Sequence, residues 1–330
     1  MVLGGTGFIG RHAAAALRAR GHAVLIGTHH PRRALAKLPA ELRCSDLRET
    51  HFESLTTRYV WQPLLRDVDA VVNAVGILRE RGGETYDRVH HMAPAALALA
   101  CERLGRRLVH VSALGLRRGS RSRFLRSKLA AERAIAATGA DYCIVRLSLL
   151  DGEGGYGAAW LRRLALLPVH LFPADACGRT AALDVRDLGD ALAALCELPG
   201  ASVPREVELG GSTRRTMAEY LAALRALHRK RAALRLPVPA LLARLGSHVC
   251  DLLHFSPFSY GHLELMRRDN LPRENLLQAL IGRAPAPVGG RAPRPVGRDP
   301  AEIRPPAPRP AYAFTAMPSG HETPVPPSPQ

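Results

Sequence analysis

Three glycines near the start of the chain, Gly4, Gly7 and Gly10, have the spacing of a dinucleotide-binding turn. They follow a short apolar segment and precede an alanine-rich helical segment, which is the context in which such glycines indicate nucleotide binding. Without side chains, the backbone can turn tightly and approach a diphosphate, whose charge is stabilised by free N–H groups at the helix start. We therefore predict a nicotinamide dinucleotide here; the alternative is a tight turn without a ligand. The predicted contacts are Gly4, Thr6, Gly7, Phe8, Ile9 and Gly10.

The end of the second predicted strand distinguishes the two nicotinamide cofactors. An acidic residue there binds the ribose 2′-hydroxyl of NAD, whereas a basic residue accommodates the 2′-phosphate of NADP. The segment reads LIGTHHPRRA and contains His29, Arg32 and Arg33 but no carboxylate. The sequence thus favours NADP(H) over NAD(H), with an ordinary solvated helix start as the alternative role of the two arginines.

Two further segments are predicted to contact the dinucleotide. Asp46 and Leu47 follow a candidate third strand and would lie near the adenine. Ala74, Val75 and Gly76 end the fourth predicted strand, at the sheet edge where open α/β sheets bind their ligands. We expect the backbone of both segments to pass close to the cofactor.

The elements that must position these residues alternate between short strands and helices from residue 1 to about residue 148. This alternation predicts an α/β fold with a doubly wound parallel sheet. The predicted strands are 1–3, 23–27, 70–74, 107–112 and 142–147, and the predicted helices are 11–20, 94–104 and 126–137, each with apolar residues recurring at three and four positions.

After Asp151 the sequence has longer loops, more proline and scattered helices, predicted at 183–198, 217–227 and 239–253. We expect residues 1–150 to form the dinucleotide-binding domain, with the helix at 183–198 returning to it. Residues 151–283 would form a smaller substrate or partner lobe. Residues 284–330 are rich in proline and poor in large apolar side chains, so a disordered tail is predicted.

The helix predicted at 239–253 carries its large apolar residues on one face. They are Leu241, Leu242, Leu245, Val249, Leu252 and Leu253. Packing of this face on the lobe is the favoured interpretation, and docking to a partner or a membrane surface is the alternative.

Composition excludes several classes of protein. The 330 residues carry a formal net charge of +17, which favours anionic partners, but the arginines are dispersed and no dedicated nucleic-acid binding is expected. The arginines of the segment 116–126 could line the entrance to a site for an anionic substrate, or they could belong to an ordinary solvated loop. The six cysteines lie far apart, so no disulfide framework or metal site is predicted.

The location of the protein is expected from what the sequence lacks. The start of the sequence lacks the features of a secretory signal, and no apolar stretch approaches the roughly 20 residues that cross a bilayer. We expect a cytoplasmic or membrane-peripheral protein.

The segments GGTGFIG, NAVGIL, HVSALG, SRFLRSKLAAE and LDVRDLGDAL resemble an atypical short-chain dehydrogenase/reductase of the epimerase/dehydratase-like type. Within that superfamily the chain is similar to bacterial relatives of accessory subunit nine of the complex I alpha subcomplex, over roughly residues 1–283. The resemblance implies an extended Rossmann fold with a small carboxyl-terminal lobe and NADP(H) held as a structural ligand. Besides the dinucleotide, a protein assembly or a membrane-peripheral partner is expected.

Enzymes of this superfamily use a serine and a Tyr-x-x-x-Lys pair, in which the tyrosine exchanges a proton with the substrate. The resemblance assigns Ser112 to the serine and Lys128 to the lysine, but the tyrosine position is Phe124. A phenyl ring has no proton to exchange, and a general acid or base typically supplies about 10² to 10⁴ in rate. Carbonyl reduction by that relay should therefore be crippled, although Lys128 could still bind the ribose.

Two functions remain open. The favoured one is a non-catalytic or weakly catalytic NADP(H)-binding protein, whose cofactor acts as a structural or redox-sensing ligand. The alternative is an NAD(P)-dependent reductase, epimerase or dehydratase whose proton donor is a residue other than the missing tyrosine.

Overall fold

A computed structural model describes residues 1–43, 45–253 and 258–287. Its strands are β1 Val2–Leu3, β2 Leu25–Thr28, β3 Asp46–Glu49, β4 Ala70–Asn73, β5 Arg107–Ala113, β6 Tyr142–Leu147, β7 Leu150–Asp151, β8 Val169–Pro173, β9 Arg179–Thr180, β10 Leu183–Asp184, β11 Glu206–Leu209, β12 Arg215–Thr216 and β13 Leu234–Val238. From residue 288 onward the predicted tail lies outside the described residues.

The α-helices are α1 Phe8–Ala19, α2 Pro31–Lys37, α3 Arg58–Trp61, α4 Ala93–Leu104, α5 Arg123–Ala136, α6 Tyr156–Leu166, α7 Val185–Glu197, α8 Met217–Leu227, α9 Ala240–Leu253, α10 Tyr260–Met266 and α11 Leu277–Ile281. Short 3₁₀ turns occur at Ala40–Leu42, Phe52–Ser54, Gln62–Leu65 and Gly200–Ser202, and a π-helical segment, Asp87–Met92, leads directly into α4.

Seven strands form the central sheet in the order β3, β2, β1, β4, β5, β6, β11, and every neighbouring pair is parallel. The doubly wound α/β fold predicted from the sequence is thus confirmed. Strand β1 lies between β2 and β4, so the chain order reverses there, and open sheets of this kind bind ligands at such a reversal.

Helices cover both faces of the sheet. One core packs α1, α7 and α11 against the sheet, and the other packs α4 and the fully buried Trp61 against its opposite face. Helices α1 and α7 approach so closely that a Cβ at Gly189 would lie 2.6 Å from the carbonyl oxygen of His12. The absence of a side chain at Gly189 permits this approach. The helix predicted at 183–198 therefore packs on the first helix of the sheet domain.

The elements that were not predicted from the sequence include α6, β8, β11 and β13. Strand β11 extends the sheet beside β6, while β8 and β13 pair in a separate two-stranded ribbon. Helices α6 and α8 pack on each other around Ala165, Tyr220 and Leu224, a small core of their own. Helix α9 packs on α10.

Candidate dinucleotide site

The glycine turn connects β1 to α1 and requires glycine at two of its positions. Gly4 has a φ of +69°, in the left-handed region that favours glycine, and its N–H donates to the carbonyl oxygen of Gly27 at 3.0 Å. A Cβ on Gly10 would lie 2.2 Å from the carbonyl oxygen of Gly4. The first turn of α1 can therefore lie directly against the end of β1.

The start of α1 leaves donors free for an anion. Gly7 is the N-cap and provides no side-chain hydrogen bond, and the first turn contains no acidic residue. The first intrahelical acceptor, the carbonyl of Gly7, is taken by Arg11, so among the described residues the N–H groups of Phe8, Ile9 and Gly10 have no hydrogen-bond acceptor. These donors and the positive end of the helix dipole fit a diphosphate group.

A cleft of about 450 Å³ opens above this turn at the carboxyl ends of β1, β2 and β4. Of the residues predicted from the sequence, it is lined by Gly4, Thr6, Gly7, His29, Arg33, Ala74, Val75 and Gly76. His30, which is also part of the basic segment LIGTHHPRRA, lines the cleft as well. Residues that sequence reasoning missed also line it: Gly27, Thr28, Ala34, Thr50, Phe52, Ile77, Glu84 and Val89. Most of these simply follow strand ends whose boundaries were misplaced or were not predicted.

Asp46 and Leu47 lie away from this cleft. Strand β3 begins at Asp46 instead of ending before it, and Asp46 pairs with Leu25 while Glu49 pairs with Thr28. Asp46 is therefore at the amino end of the sheet, and Leu47 packs in the core. The residue near the cleft is Thr50, at the carboxyl end of β3. Asp46 and Leu47 therefore do not line the cleft.

The end of β2 carries more charge than the sequence suggested. His29 Nε2 lies 2.9 Å from Glu53, whose carboxylate also lies 3.6 Å from His51. Burial opposes ionisation of Glu53, but hydrogen bonds from His29 and the backbone outweigh it and lower the pKa of this carboxyl. Glu53 is an acidic residue at this edge that sequence reasoning did not find, because it lies in the 3₁₀ turn after β3.

His29, His51 and Glu53 also form a group that could hold a metal ion, since one donor atom of each lies within 4.8 Å of the others. Their mutual contacts at 2.9 and 3.6 Å account for the arrangement without an ion. Arg33 lines the cleft beside this group, whereas Arg32 is exposed and is not among the lining residues.

Lys128 lies next to the turn that follows β4, where Gly76 lines the cleft. A Cβ built on Gly76 would be 4.0 Å from Lys128 Nζ and 3.7 Å from His90 Nε2. Burial lowers the pKa of Lys128 to about 8, and the nearby Glu132 carboxylate opposes that effect. Among the described residues its ammonium donates no hydrogen bond, so it remains available to a ligand.

Phe124, at the position that the sequence resemblance assigns to a tyrosine, is surrounded by rings from three other segments. Its ring centroid lies 5.8 Å from that of Tyr86, 5.3 Å from His90 and 6.3 Å from His262, and the last pair is stacked. Lys128 Nζ lies 5.9 Å from the same centroid. Only the tertiary fold assembles this cluster, since the three partners are 34 or more residues away in the chain.

Two of these neighbours have their polar atoms engaged. The Tyr86 hydroxyl donates to the Leu78 carbonyl at 2.8 Å, and burial raises the pKa of Tyr86. His90 Nε2 accepts from the Ile77 N–H at 2.9 Å, while its Nδ1 lies 3.1 Å from Ser127 Oγ. Burial lowers the pKa of His90 well below its usual value, so this ring is neutral at pH 7.

In this cluster, the His262 imidazole has one ring nitrogen without a hydrogen-bond partner among the described residues. Its Nδ1 lies 2.6 Å from Ser259 Oγ, and burial lowers the pKa of His262 to about 4. The Ser259 hydroxyl accepts the backbone N–H of His262 at 3.3 Å. The proton of the Ser259 hydroxyl then points to His262 Nδ1, so the imidazole proton of His262 is assigned to Nε2. No spacing in the sequence links His262 to Phe124.

Ser112 is buried at the end of β5 and its hydroxyl is directed to a carboxylate. It donates to Glu132 at 2.5 Å, and Glu132 also accepts from Arg146 at 2.8 Å. Ser112 is only 3% exposed and does not line the cleft. Its hydroxyl proton is therefore occupied within the protein.

Comparison with known proteins agrees with this geometry. A family model described as NAD(P)H-binding matches residues 4–162. These residues form an NAD(P)H-binding domain. The domain contains the glycine turn, the cleft, Phe124 and Lys128.

Relatives of the NAD(P)H-binding domain include several kinds of enzyme. The ceramide reductase of Caulobacter vibrioides is 29% identical over 199 residues, which are 60% of this chain and 61% of that protein. A nucleoside-diphosphate-sugar epimerase from Staphylococcus aureus is similar in structure, with a TM-score of 0.65, 18% identity, and coverage of 88% of this chain and 98% of the other.

An NADPH-dependent quinone oxidoreductase of Escherichia coli also has a TM-score of 0.65, with 16% identity and coverage of 87% of this chain and 96% of the other. The fold is thus the Rossmann type of NAD(P)-binding oxidoreductases and epimerases. The resemblance to a complex I subunit stays a prediction.

Proposed function

We propose that the protein is an NADP(H)-binding protein that is at most weakly catalytic. The observation that carries this proposal is Phe124, which stands beside Lys128 where the superfamily has its proton-exchanging tyrosine. Neither Tyr86 nor His90 replaces that function, because the first donates to Leu78 and both nitrogens of the second are engaged. A bound dinucleotide would stabilise the fold by mass action.

Each part of the dinucleotide has a group of matching charge. The free N–H groups at the start of α1 would hold the diphosphate, and the Lys128 ammonium would hold the ribose hydroxyls at the nicotinamide end. Arg33 and His30 would bind the 2′-phosphate of NADP. When bound, the cofactor would supply a hydride at the end of the cleft near Gly76.

Two arginines that are adjacent in sequence test the preference for NADP(H), because Arg33 lines the cleft and Arg32 does not. Arg33→Ala should weaken NADPH binding by at least about tenfold, because a charged hydrogen bond to the 2′-phosphate is lost, and should leave NADH binding unchanged. Arg32→Ala is the matched control and should change neither affinity. Isothermal titration calorimetry measures all four; equal loss for NADPH and NADH would contradict the assignment of Arg33.

A second function, an NAD(P)H-dependent reductase, is favoured by His262. With its proton on Nε2 and its ring stacked on Phe124, His262 could donate a hydrogen bond to a carbonyl oxygen. It would thereby stabilise the alkoxide that forms when NAD(P)H transfers its hydride to the carbonyl carbon, and water would then protonate that alkoxide. A neutral imidazole is a precedented electrophile in enzymes. The ceramide reductase relative suggests a lipid as the class of substrate.

Turnover separates the two functions. NADPH oxidation is followed with oxidised sphingolipid and quinone substrates, with an ordinary enzyme rate of about 10 per second as the reference. A rate of that order would contradict the weakly catalytic proposal. If His262 is the donor, His262→Phe abolishes turnover without changing NADPH affinity. The control is His248→Phe, at a histidine that stacks on Tyr260, and this variant should keep its turnover. A gain of activity in Phe124→Tyr would instead show that the missing tyrosine is the limiting group.

A further inference from the structure

Helix α9 has its apolar face turned away from the protein. The side chains of Leu241, Leu242, Leu245, Val249 and Leu252 are between 49% and 77% exposed. The opposite face contains small residues and is the buried one, with Ala243 9% and Ser247 0% exposed. The packing on the lobe that the sequence favoured is therefore wrong, because the residues expected to pack are those in contact with solvent.

Polar contacts hold α9 in this orientation. Asp251 forms an ion pair with Arg79 at 3.2 Å and accepts the backbone N–H of Tyr260 at 3.0 Å. His248 stacks on the Tyr260 ring with centroids 4.8 Å apart. These contacts attach one side of the helix to α10 and to the loop after β4, so the leucine face is held outward.

The ribbon of β8 and β13, which precedes α9 in the chain, also exposes apolar side chains. In its register Val169 pairs with Leu234 and Leu171 pairs with Leu236, so all four side chains lie on one face of the ribbon. They are 38%, 61%, 66% and 42% exposed, respectively. Strand β13 leads into α9 through Pro239 alone. We call these four residues and the five exposed residues of α9 the docking face.

The surroundings of the docking face are strongly basic. No aspartate or glutamate occurs from Tyr220 to Cys250. The same stretch carries exposed cations at Arg229, Lys230, Arg231, Arg235 and Arg244, and among the described residues none of these five forms an ion pair within 4 Å.

We propose that the docking face binds the surface of an anionic lipid bilayer, with α9 lying in the interfacial plane. Apolar side chains beside exposed lysine and arginine are the combination that binds such surfaces, since acyl chains receive the former and anionic headgroups the latter. Within the described residues no helix is long and apolar enough to span a bilayer, so the contact is peripheral. A two-fold dimer through this face would instead bring its cations together.

The docking face also lies next to a second cavity. This cavity, of about 420 Å³, is lined by Arg244 of α9 together with Arg117, Arg121, Arg268 and Tyr260. A lipid drawn from the bilayer would meet these arginines first. This consequence rests on the proposed reductase function, whereas the docking itself does not.

The test is co-sedimentation of the full chain with vesicles of phosphatidylcholine alone or mixed with phosphatidylglycerol. We expect binding to the mixed vesicles that weakens as salt is added, and much weaker binding to phosphatidylcholine alone. Leu241→Ser combined with Leu252→Ser should weaken binding about tenfold or more through lost apolar contact. The matched control, Val60→Ser with Leu99→Ser, alters exposed residues outside the docking face and should change nothing.

A charge variant tests the other half of the proposal. Lys230→Ala with Arg231→Ala should weaken binding to the mixed vesicles about tenfold or more and remove most of its salt dependence. Absence of binding to both vesicles would overturn the proposal. The proposal would also be overturned if sedimentation without lipid showed that the wild type is a dimer and that the leucine variant is a monomer. NADPH affinity should be unchanged in every variant, so failure of docking and failure of cofactor binding are distinguishable.

Discussion

Helices α7 and α9 are similar in sequence and opposite in use. Both are rich in alanine and leucine, and both place their large apolar residues on one face. In α7 that face is buried, with Leu188, Leu192 and Leu195 at 0% exposure, whereas the corresponding face of α9 is turned to solvent. Amphipathicity thus predicts that a helix has an apolar face, but not what that face contacts.

The two helices differ in the contacts that attach them to the rest of the protein. Helix α7 meets α1, where Gly189 and Ala13 allow the two backbones to approach closely. Helix α9 meets α10 through a ring stack and the loop after β4 through an ion pair, and these contacts fix its polar side inward. A close helix pair buries apolar area, and a polar attachment leaves it available to another surface.

The largest effect should come from truncating one leucine on each apolar face. Leu188→Ala in α7 should lower the free energy of unfolding by roughly 2 to 5 kcal/mol, because it leaves a cavity in a closed core. Leu245→Ala in α9 should change it by less than about 0.5 kcal/mol, as for surface substitutions. Urea denaturation measures both. A large loss in Leu245→Ala would show that α9 packs on the protein after all.

A smaller effect should separate the glycines of the two helices. Gly189→Ala places a Cβ 2.6 Å from the His12 carbonyl oxygen and should destabilise the protein by about 1 to 3 kcal/mol through overpacking. A Cβ on Gly246 meets nothing within 4 Å. Gly246→Ala should therefore stabilise the helix by up to about 1 kcal/mol. Thermal melts of both variants check this, and destabilisation by Gly246→Ala would indicate a neighbour on that side.

A third effect concerns a buried charge on α5, outside both of the helices compared. Lys128 has a pKa lowered to about 8 by burial, against an ordinary value of 10.5. Between these values the unfolded chain keeps the proton that the folded chain has lost, so the stability of the cofactor-free protein should rise with pH in that window. Lys128→Met should lack this rise.

Urea denaturation at several pH values between 7 and 10 compares the wild type with Lys128→Met. The two should diverge only above pH 8, with the wild type gaining stability relative to the variant. A parallel pH profile for both proteins would mean that Lys128 is well solvated in the folded state.

The glycine turn was predictable because its chemistry is local. Gly4, Gly7 and Gly10 act through backbone conformation and helix position, which the neighbouring residues of the chain determine. The alternation of strands and helices likewise predicted the parallel sheet. Boundaries failed where a strand is short: β3 starts at Asp46, so Asp46 and Leu47 were assigned to the wrong end of the sheet.

Charge and ring clusters were not predictable, because they join distant segments. Glu53 reaches His29 across two strand ends, and His262 reaches Phe124 from 138 residues away in the chain. Ser112 lies at the strand end that its motif predicts, yet its hydroxyl donates to Glu132, one helix away.

The sequence by itself determined the parallel sheet, the glycine turn and the phenylalanine at position 124, where the resemblance predicts a tyrosine. These follow from local backbone preferences, from the period of apolar residues and from the identity of one side chain. Only the tertiary structure decided which rings surround Phe124 and which way the leucines of α9 face. Both depend on contacts between segments far apart in the chain, and the free energy of such contacts is set by packing and burial that no local pattern encodes.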